Sequence, residues 1–191
     1  MLSVSTLKPQ RFRIYFTAVT ALVCVAQLTW EFFNGGVVSH HILHRADLPA
    51  ISNWWSLALV PALTWFLTGA IATRVAACDP IHITRLKITV FSGFTGSFLI
   101  GVALSVAFQT DHLNVASMLF QGMFLLALFV RVYRAEYLLG FVLAMMFTFG
   151  AVLPTAIGSM VAAVAAVAHL LIYPNLKLAW KWVGNRLNLR A

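Results

Sequence analysis

The residues of this sequence best suited to chemistry gather in one segment, Trp30-Glu31-Phe32-Phe33-Asn34-Gly35-Gly36-Val37-Val38-Ser39-His40-His41, which runs on through His44, Arg45, Asp47 and Pro49 to Asn53-Trp54-Trp55. Glu31 ends a long apolar run. A carboxylate within the last turn of a membrane helix is costly unless it is protonated, paired or facing water, so it is a functional candidate by default. Gln27 lies one turn before it and Asn34 about one turn after, on nearly the same helical face. Glu31 and Asn34 are therefore the candidate catalytic residues. The structural alternative pairs Glu31 with Arg45 or a histidine and closes a helix bundle.

His40, His41 and His44 form a compact set of nitrogen donors. On a helix His40 and His44 would share a face one turn apart and reach one metal ion. Asp47 follows at helical spacing, able to ligate the ion or to orient an imidazole. This set suits a divalent first-row metal such as zinc, with Glu31 as general base toward a bound water. The other readings of the histidines are a proton-sensing role and a plain hydrated loop. Gln27, Ser39, Asn53, Trp54, Asp111 and His112 complete the polar inventory of this side, as contacts to a substrate or supports for the ligands.

The elements that must position these groups follow from composition. Charged residues make up only 9% of the chain and apolar ones 61%, whereas a soluble domain carries about 25% charged residues. Apolar runs of about 20 residues recur, each able to cross ~30 Å of hydrocarbon. Lipid forces every backbone polar group to pair internally, so runs of this kind read as helices. The expected fold is an all-α integral membrane bundle, one domain over residues 1–191, with six transmembrane helices at 13–33, 52–73, 87–108, 113–132, 136–153 and 156–175.

Lys8, Arg11, Arg13, Arg74, Arg85, Lys87, Arg131, Arg134, Lys177, Lys181, Arg186 and Arg190 then fall on one side, twelve of the thirteen basic residues, leaving Arg45 for the other. The positive-inside rule makes that side cytoplasmic, with both termini on it and short loops between spans. The expected location is a bacterial cytoplasmic (inner) membrane, and the polar segment around Glu31 becomes the extracytoplasmic face. The net charge of +8 thus serves topology and anionic lipid, and nucleic-acid binding is excluded for want of a basic soluble module.

Within 136–175 only Gly150, Pro154 and Gly158 interrupt the apolar pattern. A tight hairpin at Pro154 gives two short spans, and a re-entrant pair is the alternative. Small residues recur every four positions at Gly93, Ser97, Gly101 and Ser105, and at Gly158, Ala162 and Ala166. Such stripes bring helix backbones close, either within the chain or at the seam of a homo-oligomer. Residues 176–191 place Leu176 and Trp180 on one face beside Lys177 and Lys181, the pattern of a basic interfacial tail. Cys24 in a span and Cys78 in a loop are not expected to form a disulfide. His169, alone at membrane depth, is expected to be a satisfied buried histidine.

Ser39, His44 and the Asp47-Leu48-Pro49 run resemble, over one short segment, the serine, histidine and aspartate region of alkaline-ceramidase-type membrane hydrolases. That family's paired histidines in the last span have no counterpart here, where His169 is followed by Tyr173, so no role is carried over. Three functions follow from the residues. The first is a metal-dependent, hydrolase-type membrane enzyme acting on a lipid or other amphiphile. The second is a small proton- or metal-ion-linked transporter or channel. The third is a non-enzymatic membrane subunit or sensor.

Overall fold

Runs of Leu, Val, Phe and Ala fold into helices here, and the polar interruptions set where they stop. The computed structural model describes residues 4–41, 47 and 49–188, with side chains for residues 10–41, 47, 49–178 and 180–182. Helix α1 spans Val4–Phe33, α2 Ser56–Ala76, α3 Ile83–Gln109, α4 Leu113–Phe129, α5 Ala135–Phe149 and α6 Val152–Ala166. A π-helical turn, Val167–Ile172, joins α6 to α7, Tyr173–Asn188. Strands β1 (Ser39–His41) and β2 (Ala50–Ser52) pair as a small antiparallel ribbon between α1 and α2, with Ser39 opposite Ser52, His40 opposite Ile51 and His41 opposite Ala50.

The chain is an all-α membrane protein. Four helical stretches are long and apolar enough to cross a bilayer: Gln10–Phe33, Asn53–Ala76, Pro80–Gln109 and Val152–Trp182. Helices α4 and α5 are apolar but shorter. Large apolar side chains point outward, among them Leu22, Phe66, Phe91 and Phe129. Helix α1 turns the usual amphipathic logic inside out. Its outward face carries Ile14, Val19 and Leu22, while Arg13, Thr17, Thr20, Cys24, Gln27 and Glu31, spaced alternately by four and three residues, lie along its covered face.

Helix α5 is the centre, buried without a break from Leu139 to Met146. On one side Phe141 and Met145 join Leu104, Met123, Val161 and Ala165, and on the other Leu139, Val142 and Met146 join Cys24, Leu28 and Val60. Its largest interface is with α3, which runs parallel to it. The α3 stripe Gly93, Ser97, Gly101 and Ser105 is buried. A side chain at Gly140 would collide with the Phe94 carbonyl and the Ser97 hydroxyl, and one at Gly101 with Ala144. Gly158 of α6 packs in turn on Leu138 and Phe141. The α3 face is thus occupied within the chain, whereas on α6 Gly158 is buried and Ala162 and Ala166 are half-buried.

The turn between α5 and α6 falls at Gly150, not at Pro154. Gly150 has φ +67°, a conformation most side chains avoid. Pro154 sits buried in the first turn of α6, where a missing N–H costs nothing. Arg13, Arg74 and Arg134 mark one end of the bundle, together with the start of α3 that bears Arg85 and Lys87; this is the basic end. The ribbon, the α3–α4 turn and the Gly150 turn mark the other, the Glu31 end. Cys24 and Cys78 are both free thiols.

Candidate functional site

Glu31 is the hub of the Glu31 end. Its Oε1 accepts a hydrogen bond from Gln27 Nε2 at 3.0 Å and one from Asn53 Nδ2 at 3.0 Å. Its Oε2 accepts from the Val38 N–H at 3.1 Å and shares the Asn53 amide at 3.2 Å. Gln27 Nε2 also donates to the Met146 carbonyl at 3.0 Å, tying α1 to α5. Asn53 is 3% exposed, and its N–H donates to the Val38 carbonyl at 2.9 Å. Gly150 lies against the Asn53 side-chain oxygen so closely that a Cβ there would collide with it. Ser56 Oγ accepts from the Ala151 N–H at 2.9 Å. One carboxylate thus gathers α1, the ribbon, the start of α2 and the end of α5. Three separate donors, one of them bridging both oxygens, take most of its lone pairs.

The other sequence candidates lie around this hub rather than in it. Asn34 donates to the Trp30 carbonyl at 2.8 Å, closing the end of α1, and Gly35 and Gly36, both with positive φ, turn the chain into the ribbon. His40 and His41 are on a strand, not a helix, so successive rings point to opposite faces. The His40 ring lies 6.0 Å from Phe149. Ser39 is exposed opposite Ser52, and Asp47 is exposed in the ribbon's loop. His44 and Arg45 lie outside the described residues. Ser52 Oγ accepts from the Trp54 N–H at 3.4 Å, and Trp54 and Trp55 are exposed where a bilayer interface would meet them.

Asp111, with φ 57°, and His112, whose Nδ1 is 3.0 Å from Thr110 Oγ1, form the exposed α3–α4 turn. That turn joins the same end through Gln109 Nε2, which donates to Thr148 Oγ1 at 3.0 Å, and through Phe108 stacked edge-on against Phe149 at 4.7 Å. Among the described residues no three His, Cys, Asp or Glu side chains gather closely enough to hold a metal ion. The helical arrangement expected of His40 and His44 is replaced, at His40, by the ribbon.

A second ionic site was not anticipated. Glu136, in the first turn of α5, is completely buried and accepts a hydrogen bond from Arg74 Nη2 at 2.8 Å. Its Oε2 and the Arg74 Nε are buried without a hydrogen-bond partner among the described residues. The Glu136 Cγ and the Tyr137 ring both pack over Gly93, each 3.0 Å from where a Cβ would stand. One turn along α3, Gly96 and Ser97 border a cavity of about 130 Å³ between α3, α4, α5 and α6. Ile100, Met123, Tyr137 and Val161 line it, and Leu126, 39% exposed, stands at its rim. No sequence motif marks this cavity. Gly96 leaves it open, since a Cβ there would meet no atom within 4 Å.

No family model matches the chain, and neither does any curated protein or solved structure. The functional argument therefore rests on the residues themselves. His169 completes the inventory of the basic end. It lies in the π-helical turn with Tyr173 perpendicular at 5.1 Å and Tyr133 at 6.3 Å, and its Nε2 is buried without a partner among the described residues. The expected satisfied histidine is thus not what the described contacts give. Tyr173 instead donates to the Leu128 carbonyl at 2.6 Å, at the end of α4.

Proposed function

We propose that this chain crosses a bacterial inner membrane six times, with both termini in the cytoplasm, and binds an amphiphilic molecule drawn from the bilayer in the cavity between α3 and α6. The observation that carries this reading is the apolar cavity itself. It is a half-open groove bordered by exposed Gly96 and Leu126, and in a bilayer an apolar groove that protein leaves unfilled is filled by lipid. Here the void meets the surface at Leu126, on a face whose neighbours are large and apolar. A lipid chain is the guest at hand.

Six crossings are supported by the alternation of ends along α1–α6 and by the collection of basic residues at one end, which the positive-inside rule turns toward the cytoplasm. Helix α5 would span about 22 Å at 1.5 Å per residue, short of ~30 Å of hydrocarbon. Its burial among other helices removes the need to match the bilayer, because protein rather than lipid meets its ends.

Binding is favoured over hydrolysis by the state of Glu31. A general base needs a lone pair free to take a proton from water. Both oxygens of Glu31 are engaged by Gln27, Asn53 and the Val38 N–H. We read Glu31 as the tie that closes the extracytoplasmic end. The test is photolabelling in lipid nanodiscs with a methyl ether of tetradecanol bearing a terminal diazirine, with the modified residues mapped by mass spectrometry. Labels should concentrate on Ile100, Met123 and Leu126 and fall several-fold in Gly96→Leu, where a Cβ meets open space and the longer side chain fills the void. Even labelling of outward residues such as Phe66 and Phe91, unchanged by Gly96→Leu, would refute the reading.

A further inference from the structure

We infer that two copies of this chain pair in the membrane through the outward face of α4, with their Gln121 side chains joined at the middle of the bilayer; this rests on the six-crossing reading above. Helix α4 packs chiefly on α3 and α6, with Ala116, Met123 and Ala127 turned inward. Asn114, Ser117, Gln121, Leu125 and Leu128 run along its far side, all exposed, at intervals of three, four, four and three residues. That spacing draws one stripe along one face of a helix. On the lipid-facing side of a span such a stripe should be apolar throughout, yet its first three members are polar. Among the described residues no hydrogen bond or ion pair involves Gln121.

Gln121 is the residue that needs a partner. Helix α4 has 17 residues, Leu113–Phe129, and Gln121 is the central one. At 1.5 Å per residue it lies about 12 Å from either end, so its side chain reaches neither boundary. Asn114 stands in the first turn, within reach of the head groups, and a serine such as Ser117 can bond a carbonyl of the preceding turn. At the depth of Gln121 there is no water, and lipid tails offer an amide nothing. Its partner has to present a donor and an acceptor together. A second carboxamide does so, and a second copy of the chain supplies it at the same depth, because both copies share one topology. A two-fold axis along the membrane normal sets the two amides face to face, each donating from its NH2 to the other's carbonyl oxygen. The alternation of three and four residues suits helices crossing at about 20°, and one polar residue in such a seam fixes its register. Leu126 stands about 140° around α4 from Gln121, so the pairing leaves the groove between α3 and α6 open.

The experiment measures energy transfer between donor- and acceptor-labelled full chains, tagged after Ala191, in phosphatidylcholine–phosphatidylglycerol vesicles over a range of protein-to-lipid ratios. The wild type should show transfer above random encounter, suppressed by unlabelled wild type. Gln121→Leu places an apolar side chain on an exposed face, so it should fold. It should need an about tenfold higher ratio to pair, the loss of two interhelical hydrogen bonds of the average strength measured in membranes. Gln121→Asn keeps the amide and should recover most of that loss, whereas Phe66→Ala, on the outward side of α2, should leave pairing unchanged. Random-level transfer in the wild type overturns the inference and gives the amide to a different protein. Equal midpoints for the wild type and Gln121→Leu overturn it by moving the seam to another face. Reporter fusions in the α3–α4 turn and in the α4–α5 turn should report opposite sides of the membrane. The same side for both removes the crossing of α4 and the pairing with it, whereas opposite sides without transfer remove the pairing alone.

Discussion

Replacing Arg74 by methionine should destabilise the protein far more than replacing Glu136, and replacing both should restore most of the loss. The Glu136 side chain has no exposure and its Oε2 is already without a partner among the described residues, so Arg74→Met would leave the carboxylate without the Nη2 donor at 2.8 Å. Breaking a buried ion pair from one side costs about 3–5 kcal/mol. Arg74 keeps 30% of its side chain exposed, so the pair is not fully enclosed and the lower figure, about 3 kcal/mol, is expected. Glu136→Met should cost less, because a freed arginine can swing its head group toward water along its aliphatic stem. Substituting both partners with apolar side chains of similar size is commonly neutral or stabilising. The assay is a double-mutant cycle on equilibrium unfolding in mixed micelles of dodecylmaltoside and SDS, with the wild type alongside. A single-variant cost for Arg74→Met below about 1 kcal/mol, or a double variant that loses the sum of the singles, would show that Glu136 is hydrated and that the geometry above has been misread.

Other outcomes follow from contacts of the same kind. Asn53→Ala removes both side-chain bonds that Asn53 makes to Glu31 and should cost about 1–3 kcal/mol in the same unfolding assay; an unchanged midpoint would mean water replaces the amide without penalty. Gly140→Ala sets a methyl against the Phe94 carbonyl and should destabilise by about 1–3 kcal/mol through overpacking, whereas Gly96→Ala, with open space around it, should be close to neutral. Elemental analysis of the detergent-purified protein and of a variant lacking His40, His41 and His44 should give equal metal content, and a stoichiometric metal lost only in the variant would revive the metal-enzyme expectation. Reporter fusions after Ala191 and within the α3–α4 turn should report opposite sides of the membrane; the same side for both would overturn the six-crossing topology.

The helices were legible in the sequence because hydrophobic length alone dictates them, and the expected ranges agree with α1–α6 to within a few residues except at the start of α1 and the end of α6. At the start of α1 the helix extends beyond the apolar run, and at the end of α6 a π-helical turn, Val167–Ile172, interrupts a stretch that stays apolar. The small-residue stripe of α3 was legible for the same reason: Gly93, Ser97, Gly101 and Ser105 have no reason to align except backbone contact. The Gly150 turn was misjudged because proline draws the eye as a breaker, yet its cost vanishes in a first helical turn. The hub at Glu31 was legible in its membership, since Gln27 and Asn53 were both candidates. Its role was not, because the donor count depends on where the ribbon carries the Val38 N–H. The alternating spacing of Arg13, Thr17, Thr20, Cys24, Gln27 and Glu31 was a signal in plain view, a polar face on an apolar helix. Nothing in the sequence paired Arg74 with Glu136, 62 residues apart.

On the six-crossing reading, the two carboxylates have a common cause. A helix of about 22 Å centred in ~30 Å of hydrocarbon stops about 4 Å short of each boundary. Its free N–H groups at one end and its free carbonyls at the other then lie where water is scarce. At the start of α5 the chain places Glu136, a negative charge in the first turn that complements the helix dipole and is held by Arg74. At its end the Met146 carbonyl accepts from Gln27, itself bound to Glu31, and the Gly150 turn rests on Asn53 and Ser56. Each end of this short helix is therefore closed by a polar group carried on α1 or α2. Neither closure satisfies every polar atom near it: among the described residues the Ser105 hydroxyl toward one end, and Arg74 Nε, Glu136 Oε2 and His169 Nε2 toward the other, are buried without a hydrogen-bond partner.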